Sequence, residues 1–118
     1  MKAGSMAAGL IAAALLLAPA AARADECDHA TTQNELNTCA EDNWHAADKD
    51  LNDAWGALAE DARAKLRPEQ RDWIAARDRK CKATAAEAEG GSMYPLLYFG
   101  CMTEETKTRT RKLRAAAR

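Results

Sequence analysis

From residue 32 onwards, apolar and small residues recur at intervals of three and four positions, and this spacing predicts helices. The first helix is expected from about Thr32 to Ala62. Its inward stripe consists of Leu36, Ala40, Trp44, Ala47, Leu51, Trp55 and Leu58. Strand signals are nearly absent, because β-branched residues are scattered while Ala, Glu, Lys, Arg and Leu, which favour helices, are common. The pattern predicts an all-α fold.

Two further helices are predicted after the first. The second is expected from about Pro68, which suits the first position of a helix, to Glu89. The third follows Ser92, a favourable N-cap. The inward stripe of the second helix consists of Trp73, Ile74, Arg77, Cys81, Ala85 and Ala88. The stripe of the third is looser and consists of Leu97, Cys101, Thr108 or Glu105, and Leu113.

Capping signals and short connections complete the predicted architecture. Thr32 and Glu35 have the spacing of a capping box at the start of the first helix. Gly90-Gly91 is placed to end the second helix with a left-handed C-cap. Bends near Ala64 and Gly91 would make sequential helices antiparallel neighbours and place Asp48 opposite Lys80. We therefore expect a small antiparallel three-helix domain.

The first 24 residues have the layout of a secretory signal peptide. Lys2 is followed by an apolar run from Ala7 to Ala18 and by a small-x-small cleavage site at residues 22–24. The run is too short to span a bilayer, which takes roughly 20 apolar residues. We expect cleavage near Ala24, no transmembrane segment in the product, a single domain at 25–118, and a periplasmic or secreted location.

All four cysteines lie after the predicted cleavage site, and an even number in an exported small domain predicts two disulfide bonds. Cys81 and Cys101 are each ten residues from the second bend, which favours a bond between them. Cys27 and Cys39 then form the other bond. The rival pairing, Cys39 with Cys101, is possible because the first and third helices run parallel in this arrangement.

The residue types offer little for catalysis. An alternative metal site would use Cys27, His29, Cys39 and His45, but the chain has no C-x-x-C or H-x-x-x-H spacing. The histidines have no evident serine or free cysteine as a nucleophile partner. Gly90-Gly91 follows a helix and is no phosphate loop. We expect a protein that is not an enzyme and binds no metal or cofactor.

Charge is divided between the two halves of the predicted mature chain. Residues 25–62 contain eleven acidic residues and one lysine, whereas residues 63–118 contain fourteen basic and seven acidic residues. Such asymmetry either marks an interaction surface or is balanced within one fold. The basic stretch from Lys107 to Arg118 is interpreted as a solvated helix end. The alternative is attraction to anionic envelope polymers, while export and the lack of interleaved aromatics argue against nucleic acid.

The inward stripes also carry aromatic and charged residues. Trp44, Trp55 and Trp73 are interpreted as core residues, with an exposed binding platform as the alternative. Arg77 lies on the inward stripe near Asp48, and the two are interpreted as a structural ion pair. The alternative role of Arg77 is anion binding.

The ordered set of motifs resembles the LprI-like lysozyme-inhibitor family of small, exported, cysteine-containing helical domains. The motifs that carry the resemblance are Thr32-Gln33, Glu35-Leu36-Asn37, Cys39, Ala47-Asp48, Leu51-Asn52, Trp55, Leu58, Leu66, Gln70-Arg71, Trp73, Arg77-Asp78, Cys81, Gly90-Gly91-Ser92, Cys101, Thr106, Arg109 and Leu113. The polar members are interpreted as a structural interhelical network: Asn37, Asp48, Asn52, Gln70, Arg71, Arg77 and Asp78. The resemblance implies a non-enzymatic binding protein, and a lysozyme-type muramidase is the expected partner.

An acidic surface is the candidate for binding this partner. Glu35, Asp42, Asp53 and Glu60 lie on the polar face of the predicted first helix. Animal-type lysozymes are strongly basic, so an acidic face would steer their encounter with this chain. The alternative function is a structural or stress-related envelope protein that binds cell-wall polymer, or another envelope protein, through the basic third helix.

Overall fold

The computed structural model describes residues 25–118, and the predicted signal peptide lies outside the described residues. This part of the chain contains three α-helices and no strand: α1 (Gln33–Gly56), α2 (Glu60–Ala85) and α3 (Tyr94–Ala116). Short 3₁₀ helices span Asp25–His29 before α1 and Ala86–Ala88 after α2. The prediction of an all-α, three-helix domain is confirmed. None of the described helices is long and apolar enough to cross a membrane.

The start of α1 is fixed by the predicted pair of capping residues. The hydroxyl oxygen of Thr32 accepts a hydrogen bond from the backbone N–H of Glu35 at 3.1 Å. The Glu35 carboxylate accepts in return from the backbone N–H of Thr31 at 3.1 Å. Two donors that have no partner inside the helix are thereby satisfied, as in a capping box whose return bond is shifted by one residue.

The turn between α1 and α2 comes earlier than the sequence pattern predicted. α1 ends at Gly56 instead of continuing to Ala62, and α2 begins at Glu60, which places Pro68 inside the helix and not at its start. The guanidinium of Arg63 donates to the carbonyl oxygens of Gly56 and Leu58 at 3.0 and 2.9 Å. The final carbonyls of a helix lack partners within it, so Arg63 stabilises the early end of α1.

The turn between α2 and α3 follows the predicted glycine pair. Gly90 has a φ of 82°, a left-handed conformation that glycine adopts without a steric penalty. α3 begins at Tyr94 with Met93 as its N-cap residue, one position later than Ser92. The side-chain amide of Asn37 donates to the Ser92 carbonyl oxygen at 2.7 Å. This bond fastens the start of α1 to the second turn.

α3 lies at the centre of the packing. α1 runs parallel to α3 and packs along it, α2 runs antiparallel to α3, and direct contacts between α1 and α2 are few. The cluster of buried apolar side chains consists of Leu51, Ala54, Leu58 and Leu113. Half-buried side chains from both outer helices surround this cluster, among them Trp55 and Trp73. The first two helices are therefore held together mainly through the third.

The central position of α3 changes which of its residues are buried. Leu97 and, on α2, Ile74 are exposed at 36% and 38%, although both were assigned to inward stripes. Thr108 is also exposed. The buried side chains of α3 are Met102, Thr103, Thr106, Arg109, Thr110 and Leu113. A helix with neighbours on two sides buries a wide stripe, and part of this stripe is polar.

Both predicted disulfide bonds are present. Cys27 is bonded to Cys39 with a Cα–Cα distance of 5.6 Å, and Cys81 to Cys101 with 5.4 Å. These distances are typical of disulfide bonds. The first bond joins the N-terminal 3₁₀ helix to α1, and the second joins α2 to α3. The rival Cys39–Cys101 pairing and the alternative metal site would both need cysteines that these bonds already use.

Candidate functional site

A buried arginine links the three helices. Arg77 of α2 is 9% exposed, and its guanidinium lies between two indole rings, 4.9 Å from the ring centre of Trp44 and 5.0 Å from that of Trp73. It donates to the hydroxyl oxygen of Thr106 on α3 at 3.3 Å and to the carboxylate of Asp78 at 3.0 Å. Cations are attracted to the faces of aromatic rings, and more strongly where water is excluded.

The charge partner of Arg77 differs from the one expected. The expected ion pair was with Asp48, but the structure pairs Arg77 with Asp78, the next residue in the chain. The earlier turn explains the change, because it shifts α2 along α1 and brings Asp48 towards Arg67 and Arg71. Lys80, which was expected opposite Asp48, instead pairs with Glu105 of α3.

A second buried arginine joins α2 to α3. Arg109 is 4% exposed, donates to the side-chain oxygen of Gln70 at 2.7 Å, and pairs with the Glu69 carboxylate at 2.9 Å. Lys112 contacts the same carboxylate at 3.2 Å. Hydrogen bonds from Arg109 and Lys112, together with their charges, lower the pKa of Glu69 below its ordinary value.

The pKa of Glu69 gives a prediction about acid stability. A carboxyl group with a lowered pKa stabilises the fold when ionised, and this contribution is lost as pH falls through the folded-state pKa. We expect Glu69→Gln to lower the melting temperature at neutral pH, and the difference from wild type to shrink progressively in acid. Melting curves at a series of pH values test this, with the exposed Glu87→Gln as control. A difference that is independent of pH would contradict the prediction.

Arg109 is one of the residues that carry the family resemblance, but the sequence pattern did not predict it in the core. The missed signal is the spacing of Met102, Thr106, Arg109 and Leu113, which repeats at three and four residues through polar positions. An arginine on such a stripe can be buried when its donors are paired and its stem packs against apolar neighbours. Arg109 meets the first condition only in part, because its Nε and Nη1 are bonded to Gln70 and Glu69 while its buried Nη2 has no partner among the described residues. Its guanidinium also lies 5.6 Å from the ring centre of Trp73.

An open groove lies between α1 and α2, where the two helices diverge. Its volume is about 340 Å³. The α1 wall contains Asp48, Leu51, Asn52 and Trp55, and the α2 wall contains Arg67, Gln70, Arg71, Ile74 and Arg77. Volumes of about 300–1,000 Å³ are typical of small-molecule sites, which are usually lined mainly by apolar groups. Six of the nine residues that line this groove are polar or charged.

Five of the seven residues assigned to a structural polar network line the groove. These are Asp48, Asn52, Gln70, Arg71 and Arg77, while Asp78 pairs with Arg77 and Asn37 bonds to the Ser92 carbonyl oxygen. Within the described part of the chain, Asp48, Asn52 and Arg71 make no side-chain hydrogen bond, whereas Gln70 and Arg77 bond across helices to α3. The observed side-chain bonds between helices therefore run through α3, while Asn52 and Arg71 are exposed in the groove.

The four acidic residues of the candidate partner-binding face are all exposed. Glu35, Asp42 and Asp53 follow one side of α1, but Glu60 lies in the first turn of α2 because α1 ends at Gly56. Glu35 is engaged in the N-terminal cap, and Asp53 pairs with Lys49 at 3.0 Å. The face is therefore divided between two helices, and part of its charge is compensated locally.

Residue types that commonly bind metals are dispersed or oxidised in the described part of the chain. In residues 25–118, no three His, Cys, Asp or Glu side chains are grouped closely enough to hold a metal ion. All four cysteines are oxidised, and His29 and His45 are both exposed. The fold and its groove define a small, disulfide-bonded, all-α protein.

Within this class, the chain belongs to the lysozyme inhibitor LprI family, whose model matches residues 23–113. The resemblance seen in the sequence is confirmed. The chain is also similar to an uncharacterized protein of Rhizobium meliloti (strain 1021), with 35% identity over 116 aligned positions that cover 82% of this chain and 84% of the relative. No solved structure matches the chain significantly.

Proposed function

We propose that this protein is an exported, non-enzymatic binding protein that inhibits a lysozyme-type muramidase by covering its catalytic cleft. Membership of the lysozyme inhibitor family is the observation that carries the proposal. The two disulfide bonds support export, because such bonds persist in oxidising compartments. The oxidised cysteines and exposed histidines offer no nucleophile–base pair, which favours inhibition by occlusion without chemistry.

The acidic surface of α1 supports a basic enzyme as partner. α1 contains six acidic residues and a single lysine. Opposite potentials on two partners steer their encounter and raise the association rate by about 10- to 1,000-fold. Of the four residues in the candidate face, Asp53 is in an ion pair and Glu35 in the helix cap, whereas Asp42 and Glu60 have neither kind of contact among the described residues. These two therefore contribute most to the proposed attraction.

A titration of animal-type lysozyme with the oxidised chain Asp25–Arg118 tests inhibition directly. We expect stoichiometric loss of lytic activity, because occlusion needs one bound inhibitor for each cleft. The fold of the added protein is verified by circular dichroism. Unchanged lysozyme activity in the presence of folded protein would contradict the proposal.

A charge reversal tests the acidic face separately. We expect Asp42→Lys combined with Glu60→Lys to slow association with lysozyme by about tenfold or more, because exposed charges act over about 10 Å at 0.1 M salt. The matched control is Glu87→Lys with Glu89→Lys, which changes the net charge equally at the turn after α2. Association rates are measured at increasing salt. Equal rates for both double variants would contradict a role for this face.

A further inference from the structure

The groove between α1 and α2 has no role in the proposed inhibition, yet its side chains converge as those of a ligand site do. Arg67 and Arg71 are exposed, line the same wall, and pair with no carboxylate within residues 25–118. Arg77 is already paired with Asp78, so the two outer arginines are the ones available to a ligand. Asp48 is the only acidic residue in the lining. The excess of positive charge favours an anionic group in the groove.

The chemistry of arginine narrows the choice of anion. A guanidinium presents paired N–H donors in a plane, which matches the paired oxygens of a carboxylate or a phosphate. Arg67 and Arg71 are four residues apart on α2, so their side chains lie on one side of the helix, about one turn apart. A carboxylate at this wall can therefore accept from either arginine or from both.

The opposite wall offers groups for the uncharged part of the same ligand. The half-buried indole of Trp55 presents an apolar surface, and the exposed Ile74 adds to it from α2. Asp48 supplies acceptors for hydroxyl and amide hydrogens, and Asn52 supplies both donors and acceptors. A sugar ring has an apolar face and a rim of hydroxyl groups, and both features find partners in this groove.

We propose that this groove binds a saccharide that carries a carboxylate. The arginines Arg67 and Arg71 hold the carboxylate, Trp55 packs against the ring, and Asp48 and Asn52 bond to its hydroxyl or acetamido groups. The groove lies on a different side of α1 from Glu35, Asp42 and Asp53, so this site and the α1 part of the acidic face can be tested independently.

Two disaccharides that differ in one carboxylate provide the test. N-acetylglucosaminyl-N-acetylmuramic acid carries the carboxylate, and N,N′-diacetylchitobiose has two similar rings without it. Binding to the isotope-labelled, oxidised protein is followed by NMR, with the indole N–H of Trp55 as a local reporter. We expect the acidic disaccharide to bind about tenfold more tightly, and the resonance of Trp55 to shift on binding.

Substitutions of the two arginines test whether they bind the carboxylate, and a third arginine provides the matched control. We expect Arg67→Gln with Arg71→Gln to weaken binding of the acidic disaccharide about tenfold and to leave that of the neutral one unchanged. Arg79→Gln, an exposed position on the same helix, should leave both unchanged. The proposal would be overturned if the wild-type protein bound the two disaccharides equally, or if the double variant bound the acidic disaccharide as tightly as the wild type does. If a tetraglutamate peptide bound as tightly as the acidic disaccharide, the groove would recognise carboxylates without recognising the sugar, and the proposal of a saccharide ligand would be overturned.

Discussion

Replacing Cys81 and Cys101 together by alanine is expected to lower the free energy of unfolding by about 3–4 kcal/mol. The bond closes a 20-residue segment, and the loss of chain entropy in the unfolded state accounts for about 3 kcal/mol of stabilisation. Cys81 is fully buried, so its truncation also leaves a small cavity. Domains of this size are stable by only about 5–15 kcal/mol, so the loss is a large fraction of the total.

Urea unfolding of the oxidised proteins measures this effect. The matched control is the double variant Cys27→Ala with Cys39→Ala, which opens a 12-residue segment and is expected to cost about 2–3 kcal/mol. Its bond joins only the short N-terminal 3₁₀ helix to α1, whereas the Cys81–Cys101 bond joins two long helices. A larger loss from the N-terminal pair would show that this account of the stability is wrong.

The second large effect is expected at Arg77. Arg77→Ala removes two cation–π contacts, each worth about 0.5–2 kcal/mol, and the hydrogen bond to Thr106, worth about 1 kcal/mol. We expect a loss of about 3 kcal/mol, which for a domain of this size lowers the melting temperature by about 10–20 °C. Thermal unfolding followed by circular dichroism measures the change.

Two further variants give this prediction its controls. Arg79→Ala alters an exposed arginine two residues away, and we expect a change within about 0.5 kcal/mol. Arg77→Lys keeps the charge but loses the planar group that stacks on Trp44 and Trp73. Its loss in the free energy of unfolding should therefore lie between those of the two alanine variants. If Arg77→Ala were as stable as Arg79→Ala, the stacked arginine would not be a stabilising element.

The sequence predicted those features that depend on local signals. Helical spacing gave three helices, the Thr32–Glu35 pair gave the start of the first, and Gly90 marked the second turn. The disulfide pairing also followed, because Cys81 and Cys101 are placed symmetrically about that turn. These features need little knowledge of how distant elements pack.

The incorrect predictions share a dependence on tertiary contacts. Pro68 predicts a helix start because its ring suits that position, but α2 already begins at Glu60. Arg63, five residues before Pro68, bonds to the carbonyls at the end of α1 and stabilises the earlier turn. That shift also changes the register of α2 against α1, and Arg77 pairs with Asp78 instead of Asp48. The burial of Arg109 is hard to predict because the stripe of three- and four-residue spacing that contains it runs through polar positions.

The central position of the last helix has a consequence for how the protein reaches its final state. The apolar cluster includes Leu113 of α3. Arg77 bonds to Thr106 of α3, and Arg109, which belongs to α3, lies over Trp73 of α2. α1 and α2 have few contacts with each other, so neither can bury its apolar stripe until the last part of the described chain has been made. The described chain therefore stays without a stable core through most of its synthesis, and its folding is completed only once α3 is available.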